Sequence, residues 1–285
     1  VRYYFGPAGK PISFPGRAIE DIPKFLREIG LNAMEYEAVR SVRISEERAR
    51  ALGERALEFN VKLSLHAPYA LNLAAASEDT LNNSIARLVA ATRASMWMKS
   101  FITVFHVGYY GEYSRREALK RAIEALRRVE MLMETEGIVG VWLGPETMGK
   151  LRQIGSLEEV LDICKALEKA RPVIDFPHLY ARSRGEKYRH YRDFVETIEL
   201  LERELGTEAI KPLHLHFTEV EYGSRGEIRH HPIGSGYGPS FENLARALIE
   251  TGVEAVIISE SPLLEKDAIK MKKILEDILS SSGSF

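Results

Sequence analysis

VKLSLHAPY, residues 61–69, is a short β-rich run that ends in a residue able to bind a metal, His66, and it is one of six such runs in the chain. The others are FITVFHVG (101–108) with His106, VGVWLGPETMG (139–149) with Glu146, PVIDFPH (172–178) with Asp175, KPLHLHF (211–217) with His216, and AVIISESP (255–262) with Glu260. A parallel barrel points the C-terminal ends of all its strands at one mouth, so residues far apart in sequence converge there. Imidazoles and carboxylates gathered in that way are costly to bury unless they satisfy one another, and a divalent metal satisfies several at once. The recurrence predicts a metalloenzyme.

Working outward from these runs, β-rich segments alternate with amphipathic helical patterns along the whole chain. Strands are expected over 2–5, 32–37, 61–66, 101–106, 139–146, 172–176, 211–217 and 255–260. Eight strands in βα alternation predict an α/β fold of the (β/α)8 TIM-barrel type. No linker-like tract interrupts the pattern before the terminal SSSGSF, so residues 1–285 are read as a single domain. Helix start signals agree. Ser114 with Glu117 reads as a capping box ahead of a stripe of Leu119, Ile123, Leu126, Val129 and Met133, and Ser156 with Glu159 repeats the device before the helix that holds Cys164.

The totals narrow the function classes. A chain of 285 residues with 45% hydrophobic and 28% charged residues is globular in composition. Lys+Arg 39 against Asp+Glu 41 gives a net charge of -2, so a nucleic-acid partner would need a local patch, for which Arg40, Arg43, Arg182 and Arg184, in loops after the second and sixth strands, are the candidates. The single cysteine, Cys164, rules out an intrachain disulfide and leaves metal binding to imidazole and carboxylate. VRYYFGPAG reads as a strand and a turn rather than a signal peptide, and no apolar run approaches ~20 residues, so the expectation is a cytoplasmic protein with no membrane partner.

Two further segments bear on the site. His178 lies three residues past Asp175, and the loop TEVEYGSRGEIRHHPIGSGYG holds Glu227, His230 and His231, with glycines that let it fold back over the mouth. His214 shares a strand face with His216 one layer deeper in the barrel, His190 reads as an exposed helix residue, and Trp97 and Trp142 read as core packing. A sugar isomerase on this fold would need about four oxygen-rich ligands for Mg²⁺ or Mn²⁺, whereas a histidine excess favours Zn²⁺. Around nine ligands would serve three ions, with one carboxylate bridging a pair, and phosphate-ester cleavage is the chemistry such a cluster suits.

FGPAGKP at the first strand, LSLHAPYALNL, FHVG, PETMGK followed by GSLEEVL, IDFPHLYAR, HLHFTEVEYGSRGE with HH following, and ISESP together resemble endonuclease IV, the apurinic/apyrimidinic endonuclease family, in its archaeal form. The resemblance covers nearly the whole chain. It implies one zinc on His66 and His106, with Glu146 bridging to a second held also by Asp175, His216 and Glu260, so that Glu146, Asp175 and Glu260 are the catalytic carboxylates. A third zinc would use His178 and His230 with a carboxylate from the loop before HH, the nearest being Glu227. Two to three zinc ions per chain are implied, with manganese or magnesium as substitutes. The implied partner is double-stranded DNA containing abasic sites, which the family cleaves 5′ to the lesion in base excision repair, leaving a 3′-hydroxyl; a monomer is the expected form.

The chain departs from the family at three points. The family's third-zinc segment commonly reads Asp-x-His, but Ile228 stands two residues before His230; FHVG replaces FHPG; and Ala70 occupies the position of a bulky DNA-wedging residue, which shifts lesion recognition to Tyr69 or Leu71. Two other readings remain open. One is a divalent-metal sugar isomerase or epimerase of the xylose-isomerase-like barrels, built on Glu146, Asp175, His216 and Glu260. The other is a catalytically silent metal- or damaged-DNA-binding protein.

Overall fold

Eight parallel strands form the barrel of the computed structural model, which describes residues 2–282; Val1 and the last three residues of the SSSGSF tail lie outside the described residues. The strands are β1 (Tyr3–Pro7), β2 (Ala33–Glu37), β3 (Lys62–His66), β4 (Ile102–Phe105), β5 (Trp142–Pro145), β6 (Val173–Asp175), β7 (Leu213–Phe217) and β8 (Ala255–Ser259). Each falls within or against an expected segment. The largest shift is at β5, which begins at Trp142 rather than 139 because Gly140 sits at φ 74, a turn conformation that stops the strand short.

Two ladders make up the wall, β1-β8-β7-β6 and β2-β3-β4-β5, all in parallel register. Single bridges close them into a ring, Ala8 to Glu35 on one side and Leu143 to Ala170 with Glu146 to Val173 on the other. The β1–β2 seam depends on Gly6, where a Cβ atom would stand 1.7 Å from the Ala33 carbonyl oxygen. Strands such as AVIIS in β8 are buried along their whole length, as expected when helices cover the outside and side chains fill the inside.

The outer helices include α1 (Ile22–Glu28), α2 (Glu46–Glu58), α3 (Glu78–Trp97), α4 (Arg115–Thr135), α5 (Leu157–Ala166), α6 (Phe176–Arg182), α7 (Tyr191–Leu205), α8 (Phe241–Thr251) and α9 (Glu265–Ser282). Ser156 and Glu159 form the full reciprocal capping box, but at α4 only half of it exists: Ser114 Oγ accepts from Glu117 N, with no return bond. The buried stripe of α4 is also rotated from the expected one. Ala118, Ala122, Ala125, Leu126, Val129 and Met133 face the barrel, while Leu119 and Ile123 are half-buried, because small alanines allow the helix to lie close to its neighbours. Trp97 and Trp142 are only half-buried, Trp142 under the Arg171 guanidinium at 4.0 Å, and His190 caps α7 rather than lying within it. Cys164 is buried in α5. Among the described residues no helix is long and apolar enough to cross a membrane.

The segment after β7, which the sequence suggests is an irregular loop, is instead an antiparallel hairpin, Glu219–Gly223 paired with Gly226–His231. Its tip rests on the loop after β5, with Glu227 N donating to the Gly149 carbonyl at 3.2 Å and Leu151 N to that of Arg225 at 3.2 Å.

Candidate metal centre

The six strand-end residues meet at the C-terminal mouth. His66 and Asp175 are the last residues of β3 and β6; His106, Glu146 and Glu260 lie one residue beyond β4, β5 and β8; His216 is one residue short of the end of β7. Glu146 stands at the middle. Its Oε2 is 3.2 Å from His66 Nε2 and 3.1 Å from His106 Nε2, and its Oε1 is 3.1 Å from His216 Nδ1 and 3.3 Å from His178 Nδ1. His216 Nδ1 is also 3.2 Å from Glu260 Oε1 and 3.9 Å from Asp175 Oδ2. Donor atoms around a tetrahedral zinc with ligand distances near 2.0–2.1 Å stand about 3.3–3.4 Å apart, so these sets have close to the spacing that one ion between them requires. Asp175 Oδ2 is buried with no hydrogen-bond donor, an acceptor left for a cation. The donor set fits zinc.

The histidines are also held as ligands are. A metal-bound imidazole normally donates from its far nitrogen to a fixed acceptor, which sets tautomer and ring angle. His66 Nδ1 lies 2.8 Å from the Ala67 carbonyl, His178 Nδ1 2.8 Å from that of Thr147, and His230 Nδ1 3.1 Å from that of Glu260. With the far proton on Nδ1, each Nε2 lone pair is free for an ion. His106 joins the first set edge-on to His66, with ring centroids 4.9 Å apart.

The third group is more exposed and is completed by a backbone irregularity. Glu227 Oε2 is 3.3 Å from His178 Nε2, and Oε1 is 3.3 Å from His230 Nε2. Residues three apart on a regular strand face opposite sides. Here Tyr222 pairs with Glu227 and Glu221 with Arg229, so Ile228 is an extra, bulged residue, 56% exposed, that returns Glu227 to the face of His230. The spacing that departed from Asp-x-His is absorbed by this bulge. Gly149 makes room for it, since a Cβ there would stand 2.8 Å from Glu227 Cβ and 3.2 Å from His178 Cδ2.

The cluster carries many coupled charges. Burial opposes protonation of His66, but its hydrogen bond to Glu146 and the charges of Glu37, Glu146 and Glu35 outweigh burial and push it up to about 10. His216 and His178 are likewise raised well above the ordinary range, against their burial, by surrounding carboxylates. Asp175 moves up to about 8, chiefly through burial, whereas Glu227 falls to about 2 because His178 and His230 override its burial.

Several residues lie elsewhere than the sequence implied. Leu71 is fully buried (0% exposed) and cannot enter a DNA stack. The Arg182 guanidinium points inward, donating to the carbonyls of Met148, Lys150 and Gln153 at 3.3, 3.0 and 3.1 Å and to the Tyr110 hydroxyl at 2.8 Å, so it braces the loop after β5 rather than facing a ligand. Arg40, Arg43 and Arg184 are not buried in this way: Arg40 and Arg43 lie in the loop after β2 and Arg184 just past α6. Tyr69 is 39% exposed at the rim, its ring stacked on His106 at 5.4 Å and its hydroxyl donating to Glu37 at 2.6 Å. A cleft of about 410 Å³ opens above the cluster between Tyr69, Tyr109 and the hairpin. Lys150, Arg152 and Arg225 border an adjoining cavity that shares Lys150 and Glu227 with it, a basic flank that sequence reading missed. Reading also missed Glu35 and Glu37; the signal was AMEYE, two acids at alternate positions near the end of a strand expected to line the barrel.

Comparison with known proteins bears on the fold. The model of a family described as xylose isomerase-like TIM barrel matches residues 23–278. An uncharacterized protein of Methanocaldococcus jannaschii is 36% identical over 98% of both chains, and a protein of Carboxydothermus hydrogenoformans named probable endonuclease 4 is 27% identical over 76% of both. Among solved structures, a D-tagatose 3-epimerase-like protein superposes with a TM-score of 0.72 at 21% identity, covering 98% of this chain and 97% of its own. Endonuclease IV from Thermus thermophilus gives 0.68 at 20%, covering 99% and 100%. At these identities the structural likeness is one of fold alone.

Proposed function

The chain belongs to the xylose isomerase-like TIM barrel family, and from that premise we propose that it is a zinc-dependent endonuclease that hydrolyses the DNA backbone 5′ to abasic sites, leaving a 3′-hydroxyl. The observation that carries this reading is the surplus of ligands. Glu146, Asp175, His216 and Glu260 alone would satisfy one ion in a sugar isomerase, yet His66 and His106 converge on the second oxygen of Glu146, and His178, His230 and Glu227 form a further group beside it. The similarity to a protein named probable endonuclease 4 supports the same conclusion.

Bound zinc would supply Lewis acidity, activating water at neutral pH and neutralising the charge of a phosphodiester and its leaving oxygen. Glu146 holds the first two groups together through its two oxygens. His66, His178 and His230 are held by backbone carbonyls and need little reordering to receive ions. Tyr69, with its hydroxyl fixed on Glu37 and an exposed ring, presents a stacking face at the cleft, and Lys150, Arg152 and Arg225 offer positive charge to a backbone running past the hairpin.

The deciding experiment is incision of a duplex carrying one abasic site by protein of measured metal content. Cleavage on the 5′ side, with two to three zinc ions per chain and loss of activity on prolonged chelation, is expected. A protein holding one Mg²⁺ or Mn²⁺ that interconverts ketoses and leaves DNA intact would establish the epimerase reading. Stoichiometric zinc and DNA binding without cleavage would identify a silent binding protein.

A further inference from the structure

Beneath the ligand atoms lies a second polar layer. Residues two positions before the strand-end ligands face the same side of their strands; on β4, β6 and β8 they are Val104, Val173 and Ile258, but on β3 and β7 they are Ser64 and His214. Between these last two lies Glu35 of β2, fully buried. Ser64 Oγ donates to Glu35 Oε2 at 2.7 Å, and His214 Nε2 lies 2.8 Å from the same oxygen. Glu35 Oε1 is left to His216, whose Nε2 lies 2.8 Å away. That contact is short but off the straight line of a hydrogen bond, and neither atom has another hydrogen-bond partner, so each is left to the other.

His216 is thereby set apart from its neighbours. The far nitrogens of His66 and His230 face neutral backbone carbonyls, and that of His178 has the Thr147 carbonyl nearest at 2.8 Å with Asp175 and Glu146 oxygens at 3.2 and 3.3 Å, whereas the far nitrogen of His216 faces the Glu35 carboxylate at 2.8 Å. We propose that Glu35 is a positioning residue for His216, keeping the imidazole proton on Nε2 so that the Nδ1 lone pair faces Glu146, Asp175 and Glu260. A carboxylate acceptor draws the proton further from the ring than a carbonyl does and makes the opposite nitrogen a stronger donor. His214 and Ser64 complete the device by holding the other oxygen of Glu35, which fixes the carboxylate and compensates its burial. The inference rests on the metal-centre reading above and is independent of whether the substrate is DNA. Glu35, His214 and His216 also lie close enough together to hold an ion of their own, but Oε2 is already committed to two donors and His216 would have to serve an ion at each nitrogen.

The test is zinc affinity and stoichiometry, read by competition with a chromophoric chelator, together with the visible spectrum of the cobalt-substituted protein. Glu35→Gln offers His216 an amide oxygen like those behind the other histidines, and Glu35→Ala removes the acceptor. Both are expected to weaken one ion by about 10–100-fold, Ala more than Gln, and to change the cobalt spectrum. In a His216→Ala background, Glu35→Gln is expected to have no further effect on the remaining ions. Unchanged zinc affinity in Glu35→Gln overturns the inference, as does an equal loss with and without His216, which would mark Glu35 as merely structural. Loss of a whole ion at unaltered affinity for the rest would make Glu35 a ligand and overturn it too. If Glu35→Ala does not fold, Glu35→Gln alone carries the comparison. Wild-type protein that binds no zinc at all would remove the metal centre itself.

Discussion

Glu146 joins more of the site than any other residue, with His66 and His106 on one oxygen and His178 and His216 on the other. Glu146→Gln keeps the shape and removes the charge that lets one side chain hold two cations together. Incision is therefore expected to fall by more than about 100-fold, beyond what loss of an outer-shell partner costs, while duplex affinity, which rests on phosphate contacts elsewhere, changes little. Single-turnover incision and binding measured on the same variant decide it, and near-normal turnover would displace Glu146 from the mechanism. This residue was legible in VWLGPE because a carboxylate at the end of an apolar strand is costly to bury unless a cation or a donor meets it. Glu35 was legible only as an acid in AMEYE, since nothing there says that Ser64 and His214 come to meet it from other strands.

The hairpin after β7 is the element on which the third group depends. Its bulge at Ile228 brings Glu227 and His230 to one face, and Gly149 and Gly226 let its tip lie against the loop after β5; a Cβ on Gly226 would stand 2.1 Å from the Gly149 oxygen. Deleting Ile228 should leave Glu227 and His230 two apart on a regular strand and so still on the same side, with zinc stoichiometry unchanged. Loss of one ion from the deletion variant by metal analysis would refute the bulge account. The sequence showed the acid out of step with the histidine but not the bulge that corrects it, because a bulge is defined by the partner strand's register. Arg182 is a similar case: its place near the barrel mouth suited a DNA contact, and only the three carbonyls around its guanidinium reveal that it braces the fold.

At the scale of the whole molecule, the converging charges make stability depend on pH. In metal-free protein, His66 at about 10 and His230 at about 9 lie above their ordinary 6.5, so their contribution is complete below pH 6.5 and is lost as pH rises through 9–10. Asp175, raised by burial to about 8 from 3.8, disfavours the fold increasingly as pH rises from 3.8 to about 8. Glu227, lowered to about 2 from 4.5, contributes above 4.5 and loses its effect only as pH falls toward 2. Chelated protein should therefore be most stable near pH 4.5 and weaken as pH rises, most steeply above 6.5. Zinc bound at these residues would displace the same protons, so its affinity is expected to rise with pH. The melting-temperature gap between zinc-loaded and chelated protein is expected to widen from about pH 5.5 to about pH 8.5; a constant or shrinking gap would count against metal at these histidines. What the sequence determined by itself was the barrel and its ring of strand-end imidazoles and carboxylates, because strand period and the direction of parallel strands are local properties that send every strand-end residue to one mouth. The polar layer under His216, the bulge at Ile228, the burial of Leu71 and the inward turn of Arg182 were decided only by the tertiary structure, because each depends on which atoms of distant strands and loops lie within hydrogen-bonding or packing distance.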